Sequence, residues 1–555
     1  MDFGQMLLNF IGGFGIFIFG MNYMGEGLQK SAGDQMKNLI GILTNNRILG
    51  VLVGALVTMV VQSSSATTVM VIGFVNAGLM SLTQAVGVIM GANIGTTVTA
   101  WIVSLGEWVD FLSPSTLAPI FVALGVVISM TAKEQKTRYI AQIIFGFGAL
   151  FLGLDMMSGA VKPLRELEQI KDLFITLGSN PMLGILTGAL VTAIIQSSSA
   201  SVGILQVLAI AMLVPWNTAI YIILGQNIGT CVTALLSSIG ATTNAKRAAV
   251  MHLLFNVIGS IIFAIASILT FQIIAPQLGT TLISAVEISI AHSVFNILNT
   301  LLLFPFAKTL VRIAEIVVKE TNYEDDNMFD LVHLDERILE TPAFAVQSAT
   351  KEVYEMGITA SKNAKLAMNA LLEKDVDKIE QVLAEEKRIN KIQHAINHYL
   401  IKISNLPLSE NEHTQLQILF HNVSDIERVG DHAENIAEMA QNLINDEVDF
   451  SEDALKDLIK INIVVKQTLT HALNAFLDTD KELAIKVYDL EKQVDKLELA
   501  LRQSHIRRLV NGDCHPLAGI VFLDVISNLE RIADHATNIV EDIIQESQVN
   551  NKFYF

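Results

Sequence analysis

Charge is what this sequence has least of. Only 17% of its 555 residues are Asp, Glu, Lys or Arg, against about 25% in an average soluble domain. No Lys or Arg occurs between Arg47 and Lys133 or between Lys171 and Lys246, and no Asp or Glu between Asp172 and Glu287. Runs of that length cannot form a solvated surface and point to lipid. Cysteine is nearly absent too. Cys231 and Cys514 lie 283 residues apart with no zinc or redox spacing around either, which excludes a disulfide framework and allows a cytosol-facing tail. There is no nucleophile–base constellation, phosphate loop or HExxH, so an enzyme is not expected. The first 25 residues are apolar but lack a basic leader and an A-x-A-like site, so they read as a retained helix.

What is present divides into two parts. Up to Glu320 there are 14 Lys+Arg against 13 Asp+Glu, and the remaining 23 and 42 lie beyond it, so the net charge of −18 belongs to the C-terminal part. The composition gives an apolar domain over 1–320, a polar linker over 321–340 and an acidic soluble domain over 341–555. So acidic a tail excludes nucleic acid as a partner.

Seven stretches have the length to span a bilayer: 5–24, 83–104, 117–132, 139–160, 217–239, 248–270 and 284–306. Four others are too short to cross alone, 49–61 with 66–80 and 182–195 with 200–213. Each pair flanks the same polar sequence, QSSSA, and predicts a re-entrant hairpin whose tip lies at membrane depth. Such a tip is tolerated only inside protein or beside a water-filled cavity. Gly54 to Ala100 aligns without a gap to Gly188 to Ala234 at an offset of 134, and 22 of 47 positions are identical. The matches cluster in two blocks, QSSSA and GxNIGTxVTA, which marks a duplication: repeat one over about 5–132, repeat two over about 139–270, and an extra span at 284–306. Eleven basic residues fall in the loops 25–48, 133–138, 240–247 and 307–320, against three on the other side, Lys162, Arg165 and Lys171. The positive-inside rule then puts the N-terminus outside and the tail in the cytoplasm, with the two hairpins inserted from opposite sides.

The chemistry of the tips follows from helix ends. The helix before Gln62 or Gln196 ends in free carbonyls, suited to a cation; the helix after the serines begins with free N–H groups and suits an anion. Ser63, Ser64, Ser65 and Ser197, Ser198, Ser199 add hydroxyl donors. In the GxNIGT blocks the glycines are expected to let the backbone leave the helix. Asn93, Thr96, Asn227 and Thr230 offer hard oxygens to sodium, as does Thr97, where repeat two has Cys231. With no basic side chain at hand, a bound anion has to be balanced by cotransported cations. The motif blocks hold no carboxylate or histidine for proton coupling, which favours sodium. Paired QSSS motifs, each followed by a GxNIGT block, resemble the type II sodium-dependent phosphate cotransporter family over about residues 1–310. By that resemblance Gln62, Ser63, Ser64, Ser65, Gln196, Ser197, Ser198 and Ser199 line a phosphate and sodium site. The competing explanation for the serines is helix packing, since small polar residues are common where membrane helices touch.

Beyond Thr341 long helical periodicity, broken at Pro407 and Pro516, gives two three-helix units, 341–446 and 451–548. IERVGDHAENI (426–436) matches LERIADHATNI (529–539) at offset 103. Each places two acids four residues apart, Glu427 with Asp431 and Glu530 with Asp534, a spacing at which like charges repel. Either the neighbouring arginine and solvent offset this, or a metal does, with Glu386, Asn390, Glu491 and Asp495 as partners on the preceding helices. The repeated block resembles PhoU, a tandem three-helix-bundle regulator of phosphate transport, and that resemblance implies a divalent, iron or zinc site.

The sequence thus predicts an all-α polytopic membrane protein with inverted repeats and re-entrant hairpins, followed by a soluble PhoU-like domain, in the inner or plasma membrane. The expected function is sodium-coupled transport of inorganic phosphate, with sodium, phosphate and the lipid bilayer as partners and self-association through the helical tail. The alternatives are a sodium symporter for another oxyanion or dicarboxylate, and a membrane-anchored phosphate or metal sensor that moves nothing.

Overall fold

The computed structural model describes residues 3–41, 46–108, 114–320 and 334–552. Among them the chain is helical with a single isolated bridge, between Pro215 and Leu282. It divides into two compact units. The first is Met1–Asp325 with Asp335–Phe344 and Pro407–Glu410; the second holds the rest.

The first unit is built from sixteen helices among the described residues: α1 Phe3–Gly41, α2 Arg47–Val61, α3 Ser64–Asn76, α4 Leu82–Gly95, α5 Thr97–Trp108, α6 Pro114–Thr131, α7 Gln135–Val161, α8 Glu168–Ser179, α9 Pro181–Ile195, α10 Ser198–Ile210, α11 Trp216–Gly229, α12 Cys231–Ser237, α13 Thr243–Leu269, α14 Pro276–Thr280, α15 Ala285–Leu303 and α16 Ala307–Val317. Among the described residues six stretches are long and apolar enough to cross a bilayer, 3–32, 82–105, 135–166, 216–237, 243–274 and 285–317, and the bent pair 168–179 with 181–195 makes a seventh if it is one span. The expected span at 117–132 falls on the 18-residue α6, of which 118–131 is an apolar stretch. The N-terminal helix runs past its apolar part to Gly41, because its polar stretch GEGLQKSAGDQMK still consists mostly of helix-tolerant residues.

Both hairpins form where the sequence places them, α2 with α3 and α9 with α10. They are fixed by close helix contacts that only glycine permits. A Cβ on Gly54 would collide with Val88 O and one on Gly91 with Val51 O, which holds α2 against α4. Gly188 against Ile222 O and Gly225 against Ile185 O do the same for α9 and α11. With no hydrophobic driving force between helices in lipid, such backbone proximity is what stabilises them. This corrects the expectation for the GxNIGT glycines. They do not release the backbone: α4 and α5 are separated by Thr96 alone and α11 and α12 by Thr230 alone, both with right-handed helical dihedrals.

The two hairpins start from opposite ends of the unit. The base of α3 reaches the start of α13, where Asn76 Oδ1 accepts from Thr242 N at 2.7 Å. The base of α10 reaches the far end, where Trp216 N donates to Thr281 O at 2.9 Å and Ile283 N to Val214 O at 3.0 Å. Between those ends runs α13, whose 27 residues make about 40 Å of helix.

The second unit holds most of six long helices: α17 Pro342–Glu373, α18 Val376–Ser404, α19 Glu410–Asn445, α20 Glu452–Asp478, α21 Lys481–Asn511 and α22 Pro516–Lys552. α19 and α22 pair through a quasi-symmetric polar joint. His432 Nδ1 meets Asn528 Oδ1 and His535 Nδ1 meets Asp425 Oδ1, both at 2.8 Å, and the two rings stack at 5.5 Å. Of the linker expected over 321–340, residues 321–333 lie outside the described residues. Residues 336–340 are a 3-10 turn seated in the first unit rather than free chain.

Candidate functional site

Each hairpin tip is made by the same local device. Gln62 and Gln196 close α2 and α9 in the left-handed region, at φ 58° and 57°, which is costly for a residue with a Cβ. Ser63 and Ser197 then cap α3 and α10, their hydroxyl oxygens accepting from Ala66 N at 3.1 Å and Ala200 N at 3.2 Å. These two serines are therefore committed to capping. The next serine of each motif is the one placed at the centre.

Ser64 Oγ and Ser198 Oγ lie 3.4 Å apart, and Thr96 Oγ1 sits 3.3 Å from the first and 3.5 Å from the second. All three are buried, two hairpin tips and the α4–α5 junction brought together across 134 residues of sequence. Around them the third serines cross between repeats. Thr233 Oγ1 donates to Ser65 Oγ at 3.2 Å and Ser199 Oγ to Thr99 Oγ1 at 3.3 Å, two pairs related by the offset of 134. Behind each tip a second matched pair ties the hairpin to itself: Thr58 to Thr67 at 3.0 Å and Thr192 to Ser201 at 2.8 Å.

The remaining candidates line the helices beside this centre. Asn93 and Asn227 each spend Nδ2 on the carbonyl four residues back, Ile89 O and Ile223 O, at 2.8 Å, leaving Oδ1 to accept. Thr97 donates to Ile94 O at 2.8 Å and Thr230 to Gln226 O at 2.9 Å, so their oxygens keep lone pairs for a cation. Cys231, in the place of Thr97, turns its sulfur to Asn227 O and His252 O, both at 3.6 Å.

The site is not symmetric. Gln62 is 7% exposed, with Oε1 accepting from Thr99 at 3.0 Å and Nε2 donating to Met59 O at 2.5 Å, whereas Gln196 is exposed. Gln226 has Ala92 as its counterpart and donates from Nε2 to Ser201 Oγ at 3.0 Å. Thr99, Thr233, Thr58, Thr192 and Ser201 were missed as site residues, although Thr99 and Thr233 stand in the duplicated GxNIGTxVTA block and Thr58 and Thr192 in the duplicated GALVT.

In the tail, Glu491, Asp495 and Asp534 bring carboxylate oxygens within 4.8 Å of one another, the one such group among the described residues. Burial, then Asp495 and Asp534, raise the Glu491 carboxyl above its ordinary range; burial, then Asp534 and Asp495, do so for Glu530. In the other unit burial, then Asp431, raise both Glu386 and Glu427. There Asn390 stands where the second unit has Asp495 and donates to Glu386, so Glu386, Glu427 and Asp431 lack the further carboxylate that Asp495 adds to Glu491, Glu530 and Asp534.

The family model for the Na+/Pi-cotransporter matches residues 16–159 and 164–285, and the PhoU domain model matches 353–440 and 458–543. A protein of Escherichia coli K12 provisionally named for inorganic phosphate export, YjbB, is 24% identical over 544 residues, covering 97% of this chain and 98% of its own. The sheep sodium-dependent phosphate transport protein 2A is 38% identical over 120 residues, 20% of this chain and 18% of that one. The crystal structure of PhoU from Pseudomonas aeruginosa aligns to 37% of this chain and 97% of its own at 24% identity and a TM-score of 0.35. The membrane-spanning half of the chain belongs to the Na+/Pi-cotransporter family, and its tail is a PhoU domain.

Proposed function

We propose that this protein carries inorganic phosphate across the cell membrane by coupling it to sodium, and that the PhoU domain regulates the carrier from the cytoplasm. The observation that carries the reading is the meeting of Ser64, Ser198 and Thr96 hydroxyls within 3.5 Å at the junction of two helix N-termini. A tetrahedral oxyanion placed there accepts from these hydroxyls and from the first N–H groups of α3 and α10, both pointing positive partial charge at it. No Lys or Arg lies on α2 to α6 beyond Arg47, or anywhere on α9 to α12, so the anion's charge is met by cations. Thr96 stands at that position, Asn93, Thr97, Asn227 and Thr230 offer further hard oxygens on the helices that carry Thr96 and its repeat-two counterpart, and Gln62 and Gln196 stand at the negative ends of α2 and α9.

Opposite insertion of the two hairpins, which the contacts of their bases near opposite ends of α13 support, makes repeat two an inverted copy of repeat one. Rocking one repeat against the other about the shared tips then exposes the site to each side in turn. The burial of Gln62 and exposure of Gln196 fit a state closed around the first hairpin. The domain limits we assign are 1–320 for the carrier and 341–555 for the cytoplasmic domain, with a divalent metal held by Glu491, Asp495, Glu530 and Asp534. Export, named for the Escherichia coli relative, is compatible with this site, since a symporter runs in the direction its gradients set.

The deciding measurement is uptake of radiolabelled phosphate into proteoliposomes of the full chain, with and without an inward sodium gradient. Accumulation that needs sodium supports the reading. Flux indifferent to sodium, or sodium-driven flux of sulfate or a dicarboxylate in preference to phosphate, overturns it.

A further inference from the structure

The segment that joins the membrane unit to the PhoU domain is tied down before it gets there. Asp335 is buried and N-caps a short turn, Oδ1 accepting from Arg337 N at 2.8 Å. Its other oxygen accepts from Asn76 Nδ2 at 2.6 Å and pairs with Arg337 Nη1 at 2.7 Å. Arg337 reaches on to the second repeat, donating from Nε to Ser237 O at 2.5 Å and from Nη2 to Ile239 O at 3.3 Å. Ile338 is fully buried over Gly73, where a Cβ would come within 2.9 Å of it, and buried Phe344 meets Phe74 edge-on at 5.6 Å.

These contacts have one feature in common. Asn76, Gly73 and Phe74 belong to the base of α3, whereas Ser237 and Ile239 belong to the end of α12 and the turn after it. α3 and α12 also touch at the tip, through Ser65 and Thr233. The two helices therefore form one seam from the central serines to the end of the unit where the tail begins, and each repeat supplies one side of it. Residues 335–344 lie across the seam's outer end. They also run without a break into α17, so any movement of the first PhoU helix is transmitted to them through covalent chain.

We propose that residues 335–344 form a latch: seated, it holds α3 to α12 and closes the tail-side exit of the transport site, and the PhoU domain opens that exit by withdrawing it. The inference rests on the carrier reading for its consequence, though the latch itself can be read without transport. Asp335 and Arg337 act as a polar pin between the repeats, and Ile338 and Phe344 seat it by burial. Arg337 bonds to two backbone carbonyls at a helix end, groups that need donors once covered. Withdrawal re-exposes them to water, so the latch can open without leaving an unmet polar group.

The test uses the full chain with Cys514→Ser, a protease site placed within 321–333, and the pair Asn76→Cys and Asp335→Cys. A short bis-thiosulfonate reagent should hold the two fragments together on a non-reducing gel after cleavage. Cross-linking should lower sodium-driven phosphate flux at least tenfold, with recovery on adding dithiothreitol to the same vesicles, which excludes misfolding. Either single cysteine should leave flux unresponsive to the reagent. A second arm measures maleimide labelling of Thr233→Cys, which should quicken several-fold when Arg337→Ala and Ile338→Ala are added. Absence of the cross-link, a cross-link that leaves flux intact, or unchanged labelling of Thr233→Cys each overturns the latch. Should the uncross-linked protein show no sodium-dependent flux, the carrier reading fails, and the labelling arm still decides whether the segment covers the seam.

Discussion

Ser64 and Ser198 occupy the same place in the two copies of the repeat, and their hydroxyl oxygens lie 3.4 Å apart. An exposed pair at that distance would be unremarkable, but these serines are buried at the N-termini of helices pointing at each other's tips. Replacing one by alanine removes a hydroxyl donor to a charged ligand, worth about 1.5–3 kcal/mol. The expected result for Ser64→Ala or Ser198→Ala is a rise of roughly 10- to 100-fold in the phosphate concentration for half-maximal flux. The double variant should cost less than the sum, because the two act on one ligand. Proteoliposome uptake over a range of phosphate concentrations measures it, and unchanged half-saturation in both single variants would show the site to be elsewhere.

The two glutamines make a second comparison inside one molecule. Both sit at a left-handed φ where glycine is more comfortable by about 1 kcal/mol. Gln196→Gly relieves that strain at an exposed side chain and should raise the thermal midpoint of the detergent-solubilised protein. Gln62→Gly relieves the same strain but strips Thr99 of its acceptor inside the packed tip, so its gain should be cancelled or reversed. Equal shifts for the two variants would mean that the difference in burial has no energetic weight.

Much of the membrane unit was legible because lipid leaves so few solutions. Apolar run lengths located both hairpins, and the duplicated QSSSA and GxNIGTxVTA blocks pointed to the residues that meet at the centre. What the sequence hid was conformation and sharing. Nothing in the letters says that Gln62 and Gln196 turn left-handed, that Ser63 and Ser197 are used up as caps, or that Gly91 and Gly225 serve close packing rather than a break. Residues 335–340 read as linker because their polarity is that of a loop, while the partners of Asp335 and Arg337, Asn76 and Ser237, lie 259 and 100 residues away in sequence.

The tail carboxylates give a prediction of sign. At neutral pH the half-burial of Glu491 and the mutual repulsion of Glu491, Asp495 and Asp534 oppose folding of α21 against α22. Asp495→Asn should therefore slow hydrogen exchange across both helices in metal-free buffer. Manganese or zinc should do the same for the wild type and have little effect on the variant, since one carboxylate ligand is gone. If the substitution quickened exchange without metal, the cluster would be a stabilising network and not a strained site awaiting a cation.

His505 sets a pH dependence of its own. Its ring is buried flat against Phe522, 4.2 Å away, with Arg508 Nη2 3.1 Å from Nδ1. Burial, then the Arg508 charge, bring its pKa down to about 4, with Asp457 opposing them. An unfolded histidine titrates near 6.5, so between those values the unfolded chain takes up a proton that the folded one refuses. The stabilisation is complete above pH 6.5 and is lost as the pH falls towards 4, by up to about 3 kcal/mol. Over the same range Glu491 and Glu530, whose carboxyls are raised, contribute with the opposite sign, because the folded state holds their protons more tightly. The histidine is isolated by comparison with His505→Phe, which keeps a ring against Phe522 and cannot titrate. Urea midpoints of the full chain, followed by hydrogen exchange in α21 between pH 7 and 4.5, should fall more steeply for the wild type than for the variant. Parallel curves would mean that the imidazole is protonated in the folded tail, with Asp457 outweighing burial.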